Sequence, residues 1–267
     1  MKKVAFNLNN KNGQLIIAII GFGRFGQLLT KIFLNWSKAK IIIVSSKKHL
    51  QTNPRLSFIK LKEIVAADLI IPCVPISTFG DTIGKIAKIL NNCAIVMDIC
   101  SVKIFPVELM KKILPKNSQI IASHPMFGPD SIRINKNLKN LRLVMHNVSA
   151  LKQNYLNIQD FFRQLGLNII EMSPEKHDKL LAWSLGYSYL VGKIGQRLRI
   201  TDSPIDTIDF QLLLQNLQIV ANDSEELFID LQTYNPFATE VQQKFIQMSQ
   251  KVVNQINKTS KKLSIKV

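Results

Sequence analysis

The chain has 267 residues, 46% of them hydrophobic and 20% charged, which is enough apolar material for one large or two modest domains and excludes a disordered tail protein. Thirty-five Lys and Arg against 18 Asp and Glu give a formal charge of +17, yet the basic residues are scattered and lack the aromatic-interleaved stripe of a nucleic-acid reader. No apolar run reaches the roughly 18 residues of a membrane span, the first 13 residues do not resemble a signal peptide, and Cys73, Cys93 and Cys100 form no CxxC pair. The expectation is a soluble protein of the reducing cytoplasm, or of an organelle if a targeting segment has been removed, with no nucleic-acid, membrane or metal partner.

The charge is segregated along the chain. Twelve Lys and Arg precede the first acid, Glu63, whereas residues 202–240 carry eight acids and no Lys or Arg. An anion bound in the first third therefore meets no carboxylate repulsion from that segment. Residues 14–20 form a short apolar run ending at Gly21, and residues 27–36 follow with Leu28, Leu29, Ile32 and Phe33 at helical spacing, so the pattern reads strand, turn, helix. Continuous apolar runs recur at 41–44, 69–74, 94–99 and 120–123, separated by helical or loop sequence such as 82–90 and 106–113. Runs of this kind are strands buried on both faces, and repeated βα units imply a Rossmann-type, doubly wound parallel α/β sheet. Residues 141–146 and 168–172 add later strands around a helix at 155–165. After Met172 the pattern changes: Ser173 caps and Pro174 opens the first of four helices, expected over 174–198, 210–221, 224–234 and 236–258. The expected division is a dinucleotide-binding domain over 1–172 and a smaller all-helical domain over 173–267. So apolar a helical segment needs a partner surface, and a homodimer is the simplest candidate.

Gly21-Phe22-Gly23-Arg24-Phe25-Gly26 matches GxGxxG between a strand and a helix, the context in which the pattern indicates dinucleotide binding. The first glycine permits the tight turn, the second admits the pyrophosphate and the third lets helix and strand pack closely. The run 41–44 is followed by Ser45, Ser46, Lys47 and Lys48, with no acid to accept bonds from both ribose hydroxyls. These side chains suit a 2′-phosphate, and Arg24 can stack on adenine or add charge, so NADP is expected over NAD. Val74 and Pro75, at the end of the 69–74 run, complete the expected cofactor site.

Two further segments follow strands and converge on the same edge: 98–103, containing Ser101, and 123–129, containing His124. A neutral His124 imidazole beside a nicotinamide can take a hydroxyl proton as hydride leaves the same carbon, with Ser101 orienting the ring.

At these residues the sequence resembles the prephenate and arogenate dehydrogenases of tyrosine biosynthesis, especially the compact plant-like arogenate type. The glycine motif, the DxxSVK segment at 98–103, the HPMFGPDS run at 124–131, the segment from Glu171 through His177 and Asp178, and the residues 203–207 match in order and spacing over most of the chain. The resemblance implies a nucleotide-binding domain, a helical dimerisation domain and a site between them. There His124 would hydrogen-bond the C4 hydroxyl of a cyclohexadienyl ring, hydride would pass from C4 to nicotinamide, and carbon dioxide would leave C1. Lys103, Met126 and Gly128 would lie near the substrate. Relatives carry a substrate-binding His where this chain has Tyr189, and Asp223 resembles an acidic position of arogenate-preferring relatives, where it would pair with the substrate amino group; a helix N-cap is the other reading of Asp223. Two alternatives stand beside this one. One is another two-domain nicotinamide reductase of the β-hydroxyacid or imine type, in which Lys193 would be essential. The other is a non-catalytic NADP-binding regulatory protein.

Overall fold

A computed structural model describes residue 8 and residues 13–47, 49–91 and 93–262. The chain divides into two compact units, Met1–His177 and Asp178–Val267. Lys48, one of the residues expected near the ribose, lies outside the described residues.

In the first unit β1 (Ile16–Ile20) leads through the glycine motif into α1 (Arg24–Trp36), followed by β2 (Lys40–Val44), β3 (Leu56–Ile59), a 3-10 turn (Leu61–Ala66), β4 (Leu69–Pro72), α2 (Ile76–Ala87), β5 (Ile95–Asp98), α3 (Ile104–Ile113), β6 (Gln119–Pro125), α4 (Pro129–Asn135), β7 (Arg142–Asn147), α5 (Lys152–Gln164) and β8 (Asn168–Glu171). The eight strands form one sheet in the order β3-β2-β1-β4-β5-β6-β7-β8. Ile17, Ile19, Ile41, Ile43, Ile71 and Met97 join α1 and α5 in one core, where Phe33 stacks on Phe161 at 5.5 Å. The alternate residues Ala18, Ile42, Ile70 and Val96 are equally buried. Burial on both faces is why these strands read as continuous rather than alternating apolar runs.

The connection direction reverses between β1 and β4, the point where an open α/β sheet opens a crevice for ligands. Gly21 sits there: its amide donates to Val44 O at 2.8 Å, and Cys73 N donates to Ile20 O at 2.6 Å. The sheet departs from the all-parallel expectation at one seam. β6 and β7 pair antiparallel, with His124 opposite Val144, while β8 is parallel to β7. An antiparallel neighbour needs no crossover helix, so the 16 residues between these strands are free to form a surface excursion carrying the short α4. β3 and α4 are the elements that periodicity did not reveal; each is too short to complete a pattern.

In the second unit, the helix that begins at α6 (Pro174–Leu181) continues through a π-helical turn (Ala182–Gly186) into α7 (Tyr187–Arg197), followed by α8 (Ile208–Asn222), α9 (Glu225–Thr233) and α10 (Ala238–Lys262). Ser173 Oγ accepts from Lys176 N at 3.2 Å, and Thr207 and Ser224 accept from Phe210 N and Leu227 N, so each start has the hydroxyl cap its sequence offers. Gly192 and Gly195 let α7 and α8 approach closely, since a methyl group on Gly192 would stand 2.7 Å from a Val220 methyl. No helix among the described residues is long and apolar enough to cross a membrane.

Candidate active site

The three glycines of the motif occupy three different environments. Gly21 has φ +104°, and a Cβ there would lie 2.3 Å from the Cys73 carbonyl oxygen. On Gly26 a Cβ would lie 2.3 Å from Gly21 O, so α1 can start against the turn only without a side chain at that position. Gly23 has nothing within 4 Å of its hypothetical Cβ. It is the N-cap of α1, with no side-chain cap and no acid in the first turn. An uncapped helix N-terminus facing open space, at the crevice of the sheet, is a cradle into which a pyrophosphate fits and which a methyl group would fill. Val74 and Pro75 line the other side, a Val74 methyl standing 3.4 Å from the Gly21 Cβ position and Pro75 capping α2. Phe25 packs inward against Phe127, with ring centroids 6.4 Å apart.

Beyond the end of β2 lies a pocket of about 710 Å³ lined by Ser45, Lys47, His49, Phe58, Lys60 and Glu63, among others. Ser45 Oγ lies 3.1 Å from His49 Nε2 and accepts from Lys47 N at 3.2 Å; Ser46 is exposed beside them. Phe22 meets His49 and Phe58 edge-on, at 4.8 and 5.3 Å, and His49 stacks on Phe58 at 5.0 Å. His49, Phe58 and Lys60 were missed by sequence reasoning because β3, which delivers two of them, was missed. Arg24 is not free to serve adenine alone: its guanidinium binds Asp130 of α4 at 2.6 Å.

His124 lies within β6 rather than after it, as does Ser123, and is 5% exposed. Burial, then the neighbouring His177 and the Lys103 ammonium, hold its imidazole well below the ordinary value of 6.5, so the ring is neutral at pH 7. Its Nδ1 lies 2.9 Å from His177 Nε2, which leaves Nε2 as the nitrogen available to a substrate. The side chain that meets the His124 ring is His177, carried in by α6, while Ser101, expected to orient the ring, sits half-buried in the turn after β5.

Lys103 is 2% exposed, its ammonium pairs with Asp98 and it donates to Ser123 O at 2.5 Å. Asp98 also accepts from Cys100 N at 3.0 Å and Ser123 N at 3.3 Å, and Ser123 Oγ donates to Asp98 O at 2.6 Å. Burial pushes the Asp98 carboxyl upward while Lys103 and these donors oppose the shift. Lys103 thus ties β5 to β6, its ammonium engaged by the buried Asp98 carboxylate and the Ser123 carbonyl. Met126 and Gly128 lie half-buried in the loop after β6, where Met126 N donates to Arg142 O and Gly128 N donates to Ser131 Oγ. No group of three or more potential metal ligands occurs among the described residues.

In the second unit Tyr189 and Asp223 are brought together, the phenol donating to the Asp223 carboxylate. Asp223 follows α8 as its C-cap, and Ser224, not Asp223, caps α9. Lys193 is held by Glu225 at 2.8 Å and lies over the Phe228 ring at 5.6 Å.

Sheet order and glycine cradle together describe a two-unit protein whose first unit has a Rossmann-type, dinucleotide-binding fold. Residues 39–146 match the family model described as "Prephenate dehydrogenase, nucleotide-binding domain", and residues 194–266 match "TYRAAT1-like, C-terminal domain". The chain is thus similar, over these residues, to the prephenate and arogenate dehydrogenases. It is 30% identical over 247 residues to arogenate dehydrogenase 1, chloroplastic, of Arabidopsis thaliana, covering 88% of this chain and 38% of that protein. Against arogenate dehydrogenase 2, chloroplastic, of the same plant it is 28% identical over 250 residues, covering 86% and 66%. The chain therefore spans less than two thirds of the length of either relative. Among solved structures, prephenate dehydrogenase from A. aeolicus in complex with hydroxyphenyl propionate and NAD+ superposes with TM-score 0.68 at 18% identity, covering 96% of this chain and 93% of that one. Synechocystis arogenate dehydrogenase superposes with TM-score 0.65 at 19% identity, covering 92% and 93%.

Proposed function

We propose that this chain is an NADP-preferring arogenate or prephenate dehydrogenase, carrying out the oxidative decarboxylation of a cyclohexadienyl substrate. The observation that carries this reading is a neutral, buried His124 on the strand two places from the sheet's ligand crevice, with one nitrogen engaged and one left over. Gly21, Gly23, Gly26 and the start of α1 would hold the pyrophosphate, and Ser45, Ser46 and Lys47 the phosphorylated ribose. When bound, the nicotinamide supplies the hydride acceptor.

His124 Nε2 accepts the C4 hydroxyl proton as the C4–H bond gives up its electron pair and the C4–O bond gains double-bond character. The electrons of the breaking C1–carboxylate bond then enter the ring, carbon dioxide leaves, and the proton held on Nε2 returns to the phenolic oxygen. The balance has no net proton, so a base that need only hold one briefly suffices, and its depressed proton affinity favours returning it. Asp223, already joined to Tyr189, would take the amino group if the substrate is arogenate.

The test is turnover of both cyclohexadienyl substrates with both cofactors: tyrosine or 4-hydroxyphenylpyruvate should form, faster with NADP than with NAD. Inactivity in all four combinations refutes the reading. A Ser45→Asp change should move preference toward NAD, and an unchanged ratio refutes the assignment of that loop. The β-hydroxyacid or imine reductase alternative is disfavoured by Lys193, whose ammonium is held by Glu225. A non-catalytic NADP-binding role would instead give NADPH binding without turnover.

The same reading assigns a homodimer through the helical unit. Among its described residues fourteen large apolar side chains are exposed, including Trp183, Leu212, Ile246, Val253 and Ile256, more apolar surface than a small helical unit leaves open alone. Sedimentation should give twice the chain mass; a monomer at micromolar concentration refutes it. The working compartment is aqueous, the cytoplasm or an organelle.

A further inference from the structure

The Nδ1 to Nε2 contact between two buried histidines has two incompatible readings. A neutral imidazole carries one N–H, so at 2.9 Å one ring donates and the other accepts. If His177 donates, His124 Nδ1 is the acceptor, its proton sits on Nε2, and the ring can offer a hydrogen bond to substrate but cannot take a proton. If His124 donates from Nδ1, its Nε2 carries the lone pair that a base needs.

We propose that His177 is a positioning residue that accepts from His124 Nδ1–H, fixing His124 in the tautomer whose Nε2 is the proton acceptor. The inference rests on the proposed function for its consequence, though the tautomer itself can be observed without turnover. Burial supports it. His124 is 5% and His177 3% exposed, so water does not compete for the bond, and the rings meet edge-on at 72° with centroids 5.1 Å apart. The backbone supports it too. His177 stands in the first turn of α6, where its amide donates to Ser173 O at 3.0 Å, and that turn begins at Pro174, whose ring fixes the entry of the helix. His124 is fixed from below by the ladders to β5 and β7. The titratable groups facing His124 are the Lys103 ammonium preceding α3, itself paired with Asp98 of β5, and the His177 imidazole from α6. With a cation on one side, a second histidine that accepts rather than donates is what keeps an available lone pair on the far nitrogen. The same arrangement explains how the transferred proton is retained: it rests on a ring whose other N–H is already committed.

Two measurements test this. In protein labelled with 15N-histidine, which gives four resonance sets from His49, His124, His146 and His177, the neutral His124 should show a protonated Nδ1 and an unprotonated Nε2. The reverse pattern overturns the proposal whatever the activity. In kinetics, His177→Leu should lower kcat roughly 100- to 10,000-fold, with substrate KM and NADPH affinity within about threefold. His177→Gln, whose amide oxygen can accept from Nδ1–H, should recover at least about tenfold of that loss and shift the acid limb of the kcat/KM profile. A Leu variant that retains kcat within threefold, or a Gln variant no better than Leu, overturns it. If the Leu variant fails to fold, the 15N measurement on the unaltered protein still decides. Should the unaltered protein show the expected tautomer but turn over neither cyclohexadienyl substrate, the functional reading falls and this one stands.

Discussion

Gly21 and Gly23 lie two residues apart in one motif, and their surroundings require opposite outcomes from the same substitution. For Gly21→Ala, a φ of +104° is strained for any L side chain, costing roughly 1–3 kcal/mol. The added methyl would also stand 2.3 Å from the Cys73 carbonyl oxygen, and moving that backbone costs roughly another 1–3 kcal/mol. The sum, about 2–6 kcal/mol, is a large part of the roughly 5–15 kcal/mol that holds a domain folded. For Gly23→Ala the backbone is extended and nothing lies within 4 Å, so stability should fall by less than about 1 kcal/mol, the difference between a Gly and an Ala N-cap. Its methyl group fills the space the pyrophosphate needs, and NADPH affinity should drop at least tenfold, about 1.4 kcal/mol. Urea denaturation followed by circular dichroism measures the first effect, and quenching or enhancement of NADPH fluorescence the second. A Gly21→Ala protein as stable as the original, or a Gly23→Ala protein that binds NADPH undiminished, would refute the assignment of a packing role to one glycine and a ligand role to the other.

Lys103→Met strips the counter-charge from a fully buried Asp98 and should cost about 3–5 kcal/mol of unfolding free energy, part of it regained in the Asp98→Asn, Lys103→Met double variant; a single variant within 1 kcal/mol of the original in urea would show the pair to be dispensable. Tyr189→Phe removes a bond to a carboxylate and should destabilise by roughly 1.5–3 kcal/mol, seen as a lower urea midpoint. His124, buried and neutral, binds its proton less readily when folded than at the ordinary 6.5 of the unfolded chain. Its stabilising contribution is therefore complete above about pH 6.5 and is lost as pH falls from there toward the lowered folded value, because the unfolded chain binds the proton first. Urea midpoints across that window should fall more steeply for the original protein than for His124→Asn, and parallel curves would contradict it.

Much of the first unit was legible because its strands are buried on both faces and so announce themselves as runs such as IIAII and KIIIV. β3 was not, since Leu56–Ile59 mixes Ser57 with apolar residues at the sheet edge, where only Leu56 is fully buried. Losing β3 hid Phe58, Ile59 and Lys60, three of the eight residues that line the pocket beyond β2. The reversed seam at β7 was illegible for a different reason: strand direction leaves no mark on composition. Among the candidate site residues, residue type drew attention to His124, but its partner could not be read from spacing, because His177 lies 53 residues away and arrives on a different element. Lys103 misled because a lysine in a DxxSVK segment looks available to ligand until Asp98, five residues earlier, proves to share its burial.

The antiparallel seam bears on how such a site can change over time. His124 has a hydrogen-bonded strand on either side, β5 flanking β6 on one and β7 on the other, so its imidazole is held by the interior of the sheet. The excursion that follows it, residues 126–141, returns to the same slab and is anchored in between by Phe127 and Leu138, buried in the core, and by the Arg24–Asp130 pair. Substitutions at the exposed positions of that excursion can therefore vary its surface while the sheet keeps the imidazole where it is.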